Sequence, residues 1–488
     1  MNTPVKAPLN APTHPLEQSG DALKNIPSLL ETAQRHASAW FASVADRPVR
    51  ATLSPDELRA MLGGTFPRNI PQCGSAPDSV VELLANAGMR GAVASAGPRY
   101  FGFVVGGSLP AAVAADWLVS AWDQNTGIYA LSPLTSAIEQ ITGSWLRELA
   151  GLPSTMSFGF TTGCQMANFT ALAAARHRVL RDAGWDVEAD GLFDAPPINI
   201  FVSEESHYTI FMALRLLGLG ANRLRRIPTD GQGRMRADAL AAVLREHRGS
   251  NRGPSIVCAQ AGNVNTGAFD PLPEIAELAK SAGAWLHVDG AFGLWASASP
   301  QRAALVRGIE NADSIATDAH KWLNVPYDCG IVFCAHESAH RSAMSLAAAY
   351  IVATGSERDP HEFVPEESRR ARAIPVYAAV RSLGREGFAE LIERNCRQAL
   401  RFADGLRAAG YEVLNDVVLN QVLVSFGTPE ETQRVIAAIQ EDGTCWCGGT
   451  VWQGRTAMRI SVSNWSTTDA DIDQSLAAML RCAKQYTS

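Results

Sequence analysis

Residues 255–290 read SIVCAQAGNVNTGAFDPLPEIAELAKSAGAWLHVDG. The run opens with a β-rich apolar stretch, SIVCAQAG (255–262), passes into a helical one, PLPEIAELAKSAG, and returns to an apolar strand, AWLHVDG (284–290). Strand, helix and strand in that order are the repeating unit of a parallel sheet. The alternation continues on both sides. INIFVS (198–203) is a strand candidate followed by the helical YTIFMALRLLGLG, and ADSIATD (312–318) and GIVFCA (330–335) are further strands. This pattern predicts an α/β fold, a mostly parallel sheet with helices on both faces. Ligands of such sheets bind at the carboxyl ends of the strands.

The flanks differ. Residues from about 20 to 65 read as helical, and SPDELRAML carries a capping box in Ser54 and Glu57. MNTPVKAPLNAPTHPLEQ reads as an extended arm without the apolar core of a signal peptide. Beyond about 380, NQVLVSF (420–426) and AMRISVSN (457–464) read as strands, and EETQRVIAAIQED and DADIDQSLAAMLRCA as helices, a smaller α+β domain. The expected organisation is an N-terminal arm and helical segment over 1–100, a large domain over 101–378 and a small C-terminal domain over 379–488.

Of 488 residues, 47% are hydrophobic and 19% charged, which predicts a globular chain with ample core rather than disorder. A net charge of −7 argues against binding nucleic acid or an anionic membrane surface. No window approaches 18 uninterrupted apolar residues, so no membrane span is expected. The nine cysteines are odd in number and lack a repeated CxxC pair, which reads as reduced thiols in a cytoplasmic protein, with neither disulfide framework nor metal site.

Four features carry chemistry. In TTGCQMANFTALAAAR (161–176) a Gly-containing turn opens a helix, whose N-terminus suits a phosphate or simply caps a core helix. There is no GxGxxG and no P-loop. In SEESHYTI (203–210), His207 follows a strand and starts a helix. In HVDGAFG (287–293), a buried strand ends in Asp289, which needs a cation or donors. In TDAHKWLNVPYDCG (317–330), Lys321 follows the next strand with His320 beside it, and desolvation is expected to lower its pKa and make the amine nucleophilic. Phosphate turn, flat imidazole, strand-end carboxylate and amine, in that order, are what a pyridoxal phosphate (PLP) site requires.

On SEESHY, HVDGAFG and DAHKWLNVPYDCG the chain resembles the group II PLP-dependent amino acid decarboxylases, the family of aromatic amino acid and glutamate decarboxylases. The likeness runs from about residue 95 to the C-terminus. It implies PLP fold type I: a large domain with a mostly parallel seven-stranded sheet, a small C-terminal domain, and an obligate homodimer with the active site at the subunit interface. It also implies residue roles. Lys321 would be the Schiff-base lysine, Asp289 the partner of the pyridine nitrogen, and His207 and Ala291 the residues on the two ring faces. Gly163, Cys164 and Gln165 would form the phosphate turn, with Asp318 and His320 beside it. The family often carries a hydroxyl residue in place of Gln165 and Asn in place of Asp318. In LSPLTSAIE (131–139), Ser136 and Ala137 stand near the family's usual Thr-Glu.

The resemblance further implies that Tyr350, in SLAAAYIVATGSERDPHEF, protonates the quinonoid carbon, since relatives with Phe there make aldehydes. Arg459 in MRISVSNW could clamp a carboxylate or form an inter-domain salt bridge. GPRYFGFVVGGSLP (97–110) supplies Tyr100, Phe101 and Phe103 near the family's side-chain pocket, and Arg99 as a cation for an acidic substrate. The expected function is decarboxylation of an L-amino acid, aromatic or apolar, to the amine and CO2. An aminotransferase or aldolase-type lyase is the alternative, and a catalytically silent scaffold would have lost the lysine.

Overall fold

A computed structural model describes residues 19–63, 70, 74–248, 253–345 and 357–486. The chain divides into two units, Met1–Ser95 and Ala96–Ser488. The first contains helices Ser19–Ser43, Pro55–Leu62 and Pro77–Gly91. Ser54 closes the expected capping box: its hydroxyl accepts the Glu57 amide at 3.2 Å and the Glu57 carboxylate accepts the Ser54 amide at 2.8 Å.

The second unit holds two sheets. In chain order the strands of the large one are β1 (Ser157–Thr161), β2 (Asn199–Ser203), β3 (Leu224–Ile227), β4 (Ser255–Gln260), β5 (Trp285–Asp289), β6 (Ser314–Asp318) and β7 (Gly330–Cys334). Their spatial order is β1-β7-β6-β5-β4-β2-β3, and only β7 runs antiparallel to its neighbours. The fold is the expected seven-stranded, mostly parallel α/β sheet. Strands β4, β5, β6 and β7 are buried along their whole length. That is why they read as continuous apolar runs rather than as alternations.

Two strands of this sheet escaped the sequence reading, as did β8 (Glu412–Val413) and β10 (Gly448–Trp452) of the smaller one. Strand β1 (SFGFT) lies just before the phosphate-turn motif, and β3 (LRRI) carries two exposed arginines at the sheet edge. An edge strand has one side free of neighbours and tolerates charge that a central strand does not.

The smaller sheet has the order β10-β11-β9-β8, all antiparallel: β8 (Glu412–Val413), β9 (Gln421–Ser425), β10 (Gly448–Trp452) and β11 (Arg455–Ser461). Helices Pro429–Asp442 and Asp469–Ala483 pack on it around Val422, Val424, Ile439, Met458 and Ile472. The helical segment Ala373–Ala408 runs through residues 378 and 379 and bends at Gly384, whose φ is 62°. Close backbone approach fixes another glycine. A Cβ on Gly106 would lie 1.8 Å from the Lys321 carbonyl oxygen, so the segment 97–110 can pass behind the lysine only without a side chain there.

Candidate active site

The parallel strands deliver the expected residues to one end of the sheet. Asp289 ends β5 and Asp318 ends β6, while Gly163 and His207 follow β1 and β2 by two and four residues. They meet in a cavity of about 560 Å³, together with Cys164, Gln165, Ala291, His320 and Lys321. Phe103 and Arg459 line the same cavity from the 97–110 segment and from β11. Tyr350 lies outside the described residues.

Lys321 reverses one expectation. Its ammonium sits 3.0 Å from Asp318 Oδ2. Burial alone would push its pKa down, but the Asp318 carboxylate, with that of Asp289, outweighs it and the value rises from 10.5 to about 12. Burial drives the Cys164 thiol well above its usual range, so that sulfur is neutral and the carboxylates carry the effect. Without ligand, Lys321 is therefore an ion-paired cation, not a free amine.

Asp318 is the hub of this corner. Its Oδ1 accepts the Cys164 amide at 2.6 Å and lies 3.3 Å from His320 Nε2. His320 Nδ1 accepts the Cys329 amide at 3.1 Å. A backbone N–H can only donate, so Nδ1 holds the lone pair and Nε2 the proton. Burial lowers the His320 pKa and keeps the ring neutral. Because Asp318 takes the Cys164 amide, the helix Cys164–Asp182 offers a ligand its next two amides. Those of Gln165 and Met166 have no backbone partner among the described residues.

Asp289 is buried and well supplied with donors. Its Oδ1 accepts the Ala291 amide at 3.1 Å and faces the Cys164 sulfur at 3.5 Å, and its Oδ2 accepts Asn168 Nδ2 at 3.3 Å. His207 caps the helix Tyr208–Leu216 in an extended conformation, and its Nδ1 pairs with Thr209 Oγ1 at 2.8 Å. Burial lowers its pKa against the pull of Asp289.

Arg459 is half-buried, and desolvation lowers its pKa. It approaches Asn265 Oδ1 at 3.5 Å but makes no ion pair among the described residues. Among the described residues the alternative, an inter-domain salt bridge, does not form.

The aromatic segment divides. Phe103 faces the cavity at 63% exposure, whereas Phe101 lies in the core of the small sheet and Tyr100 is buried. Tyr100 and Phe103 both stack on Trp446, with centroids 5.1 and 5.3 Å away. Arg99 is not in the cavity: its Nε donates to the Thr444 carbonyl at 2.7 Å and its Nη1 lies 3.4 Å from Asp471. Sequence reasoning missed Tyr208, Thr450 and Asn168. Tyr208 lines the cavity with its ring 4.5 Å from that of His207. Its place in SEESHY was the available signal. Thr450 had none, because β10 meets the cavity only through tertiary packing.

Comparison with known proteins agrees with this geometry. The pyridoxal-dependent decarboxylase conserved domain matches residues 55–427. The chain belongs to that family. Among similar decarboxylases, the aromatic-L-amino-acid decarboxylase of Bacillus atrophaeus is 28% identical over 455 residues, covering 90% of this chain and 92% of that one. The L-2,4-diaminobutyrate decarboxylase of Rhizobium meliloti (strain 1021) is 30% identical over 386 residues, covering 77% and 75%. Among solved structures, Oryza sativa TDC with PLP and tryptamine superposes with a TM-score of 0.88 at 22% identity, covering 95% of this chain and 99% of that one. Mouse CSAD gives 0.87 at 22%, covering 94% and 98%. These structures share the decarboxylase fold.

The cavity fits the family's PLP cofactor. It has the volume of a small-molecule site. It also holds an amine, a buried carboxylate with spare acceptor capacity and a flat imidazole, and unpartnered helix amides close one end. One feature fits less well than the family's frequent Asn: the Asp318 carboxylate lies at the phosphate end. Among the described residues no helix is long and apolar enough to cross a membrane.

Proposed function

We propose that this decarboxylase converts an L-amino acid with an aromatic or apolar side chain into the amine and CO2. The observation that carries the reading is Arg459, a half-buried guanidinium lining the cavity of Lys321 with no acidic partner among the described residues. A cation drawn partly out of water without a counter-ion calls for an anionic ligand, and an amino acid supplies its α-carboxylate.

In this reading Lys321 anchors PLP, Asp289 pairs with the ring nitrogen, and His207 and Ala291 flank the ring. The Gln165 and Met166 amides, with His320 Nε2–H, hold the phosphate. When bound, PLP supplies an electron sink for the pair left behind as CO2 departs. Arg459 holds the departing carboxylate in one orientation, and Phe103, backed by Trp446 and Tyr100, packs the side chain and excludes water. Tyr350 returns the proton to the carbon that lost CO2.

A homodimer accompanies this proposal. Trp117, Leu118 and Trp122 on helix Pro110–Trp122, and Leu134 and Ile141 on helix Pro133–Leu149, are exposed, which supports burial against a second copy. Light scattering tests it: a monomer at micromolar concentration would refute it.

Arg459 also suits the transaminase reading, which uses the same clamp. An acidic substrate is the other alternative, since a mouse acidic amino acid decarboxylase, GADL1, is 28% identical over 345 residues. Arg99 is engaged elsewhere, which weakens that case. The test is a panel of L-amino acids with CO2, amine and keto acid measured together. Amine and CO2 in equal amounts from an aromatic substrate is the expected result. Release from acidic substrates alone, or keto acid without CO2, would refute the substrate or the reaction. In the same assay Arg459→Gln should lower kcat/KM by about 10- to 100-fold, the loss of one charge-assisted hydrogen-bond pair.

A further inference from the structure

Behind Asp289 runs a line of buried polar groups that the proposed chemistry does not use. Trp285 Nε1 donates to Ser314 Oγ at 2.8 Å, and Ser314 Oγ lies 3.0 Å from His287 Nδ1. His287 Nε2 lies 2.9 Å from Asn168 Oδ1, and Asn168 Nδ2 donates to Asp289 Oδ2 at 3.3 Å. Ser314, His287 and Asn168 are fully buried.

The direction of every proton in this line follows from its two ends. An indole N–H only donates, and an ionised carboxylate only accepts. Asn168 must turn its amide NH2 to Asp289, so its oxygen faces His287 and takes the Nε2 proton. Burial lowers the His287 pKa to about 4, although Asp289 and the Ser314 backbone pull the other way. The ring is therefore neutral, Nδ1 has no proton, and it accepts the Ser314 hydroxyl. Ser314 Oγ in turn accepts from Trp285. All five groups are satisfied in one arrangement, and the other four donate toward Asp289.

Secondary structure makes this possible at little cost. His287 and Asp289 lie two apart on β5 and share a face. Cys164 and Asn168 lie four apart on one helix and share a face, so a single helix sends a donor to each Asp289 oxygen. A half-satisfied buried network would cost more than an apolar core of the same volume.

We propose that Trp285, Ser314, His287 and Asn168 form a one-way hydrogen-bond relay that fixes the Asp289 carboxylate in the orientation needed to hold a proton on the ring nitrogen of PLP. They are positioning residues: none of the four lines the cavity. The inference rests on the reading of Asp289 as the ring-nitrogen partner, and the experiment separates the two.

The holoenzyme is reconstituted with PLP labelled with nitrogen-15 in the ring, and the ring-nitrogen chemical shift and the PLP dissociation constant are measured. Asn168→Ala and His287→Phe are expected to move the shift toward neutral pyridine and to weaken PLP retention about 10-fold or more, the loss of one hydrogen bond to a charged group. His287→Gln, which keeps an N–H for Asn168, should stay near wild type. The double variant Asn168→Ala/His287→Phe should be no worse than Asn168→Ala alone, because the relay acts as a unit. Asp289→Ala is the control. If its shift moves while those of Asn168→Ala and His287→Phe stay at the wild-type value, the relay is refuted and Asp289 keeps its role. If Asp289→Ala leaves the shift unchanged, both readings fall. Should His287→Phe not fold, Ser314→Ala breaks the line one step earlier. A smaller shift in the same direction supports the relay, and none overturns it.

Discussion

Asp318→Asn should release the amine of Lys321. In the ligand-free chain the Asp318 carboxylate sits 3.0 Å from the ammonium, and the lysine pKa rises from 10.5 to about 12 despite burial. That gap of about 1.5 units corresponds to about 2 kcal/mol favouring the protonated form. Asn keeps the size of the side chain and an oxygen for the Cys164 amide, so the local fold is retained. With the carboxylate gone, desolvation is left largely unopposed and the pKa falls to its ordinary value or below. At pH 9 the free-amine fraction then rises by about 30-fold or more. Competitive labelling of the apoprotein with fluorodinitrobenzene, read by mass spectrometry on the Lys321 peptide, measures this fraction, and exposed Lys280 serves as the internal reference. A Lys321 labelling rate within two-fold of wild type would refute the ion pair as the group that holds this lysine protonated.

Other perturbations have equally definite outcomes. His340 is fully buried between Ser157 Oγ at 2.9 Å and the Phe363 carbonyl at 2.8 Å, and burial lowers its pKa to about 3. The unfolded chain takes up a proton near pH 6.5 and the folded one does not. Stability from this group is complete above 6.5 and is lost as pH falls toward 3, so His340→Gln should flatten that part of a Tm-versus-pH curve, and an unchanged slope would exclude it. Gly106→Ala should cost about 2–4 kcal/mol, because its Cβ meets the Lys321 carbonyl. Urea unfolding measures this, and a loss below half a kcal/mol would contradict the close approach. Tyr350→Phe should shift products from amine toward aldehyde. Unchanged amine formation would remove Tyr350 from the mechanism.

Much of this protein was legible in local sequence. Fully buried strands must be apolar throughout, so β4 to β7 announce themselves, and the helices between them carry their own periodicity. The carboxyl-end rule singles out His207, Asp289 and Lys321 from the sequence, because in a parallel sheet the position of a residue at a strand end is already a position in space. Strands β1 and β3 were less visible: in SFGFT only the two Phe are apolar and bulky, and LRRI is a charged edge.

The electrostatics of the site were decided by tertiary structure alone. Sequence placed Asp318 three residues before Lys321 but could not tell that the chain folds the carboxylate back onto the ammonium, which turns an expected fall in pKa into a rise. Neither could it sort Tyr100, Phe101 and Phe103, adjacent in the chain, into a stacked ring, a core ring and a cavity wall. Arg99 and Arg459 looked equally able to meet a substrate carboxylate. Packing gave one an acid and left the other facing the cavity. Local sequence determines which residues can form each strand and helix, because that depends on neighbours a few positions away. The charge state and partner of a buried group depend on how the chain brings atoms together, whether from three residues away, as for Asp318 and Lys321, or from 372, as for Arg99 and Asp471, and only the folded chain specifies that.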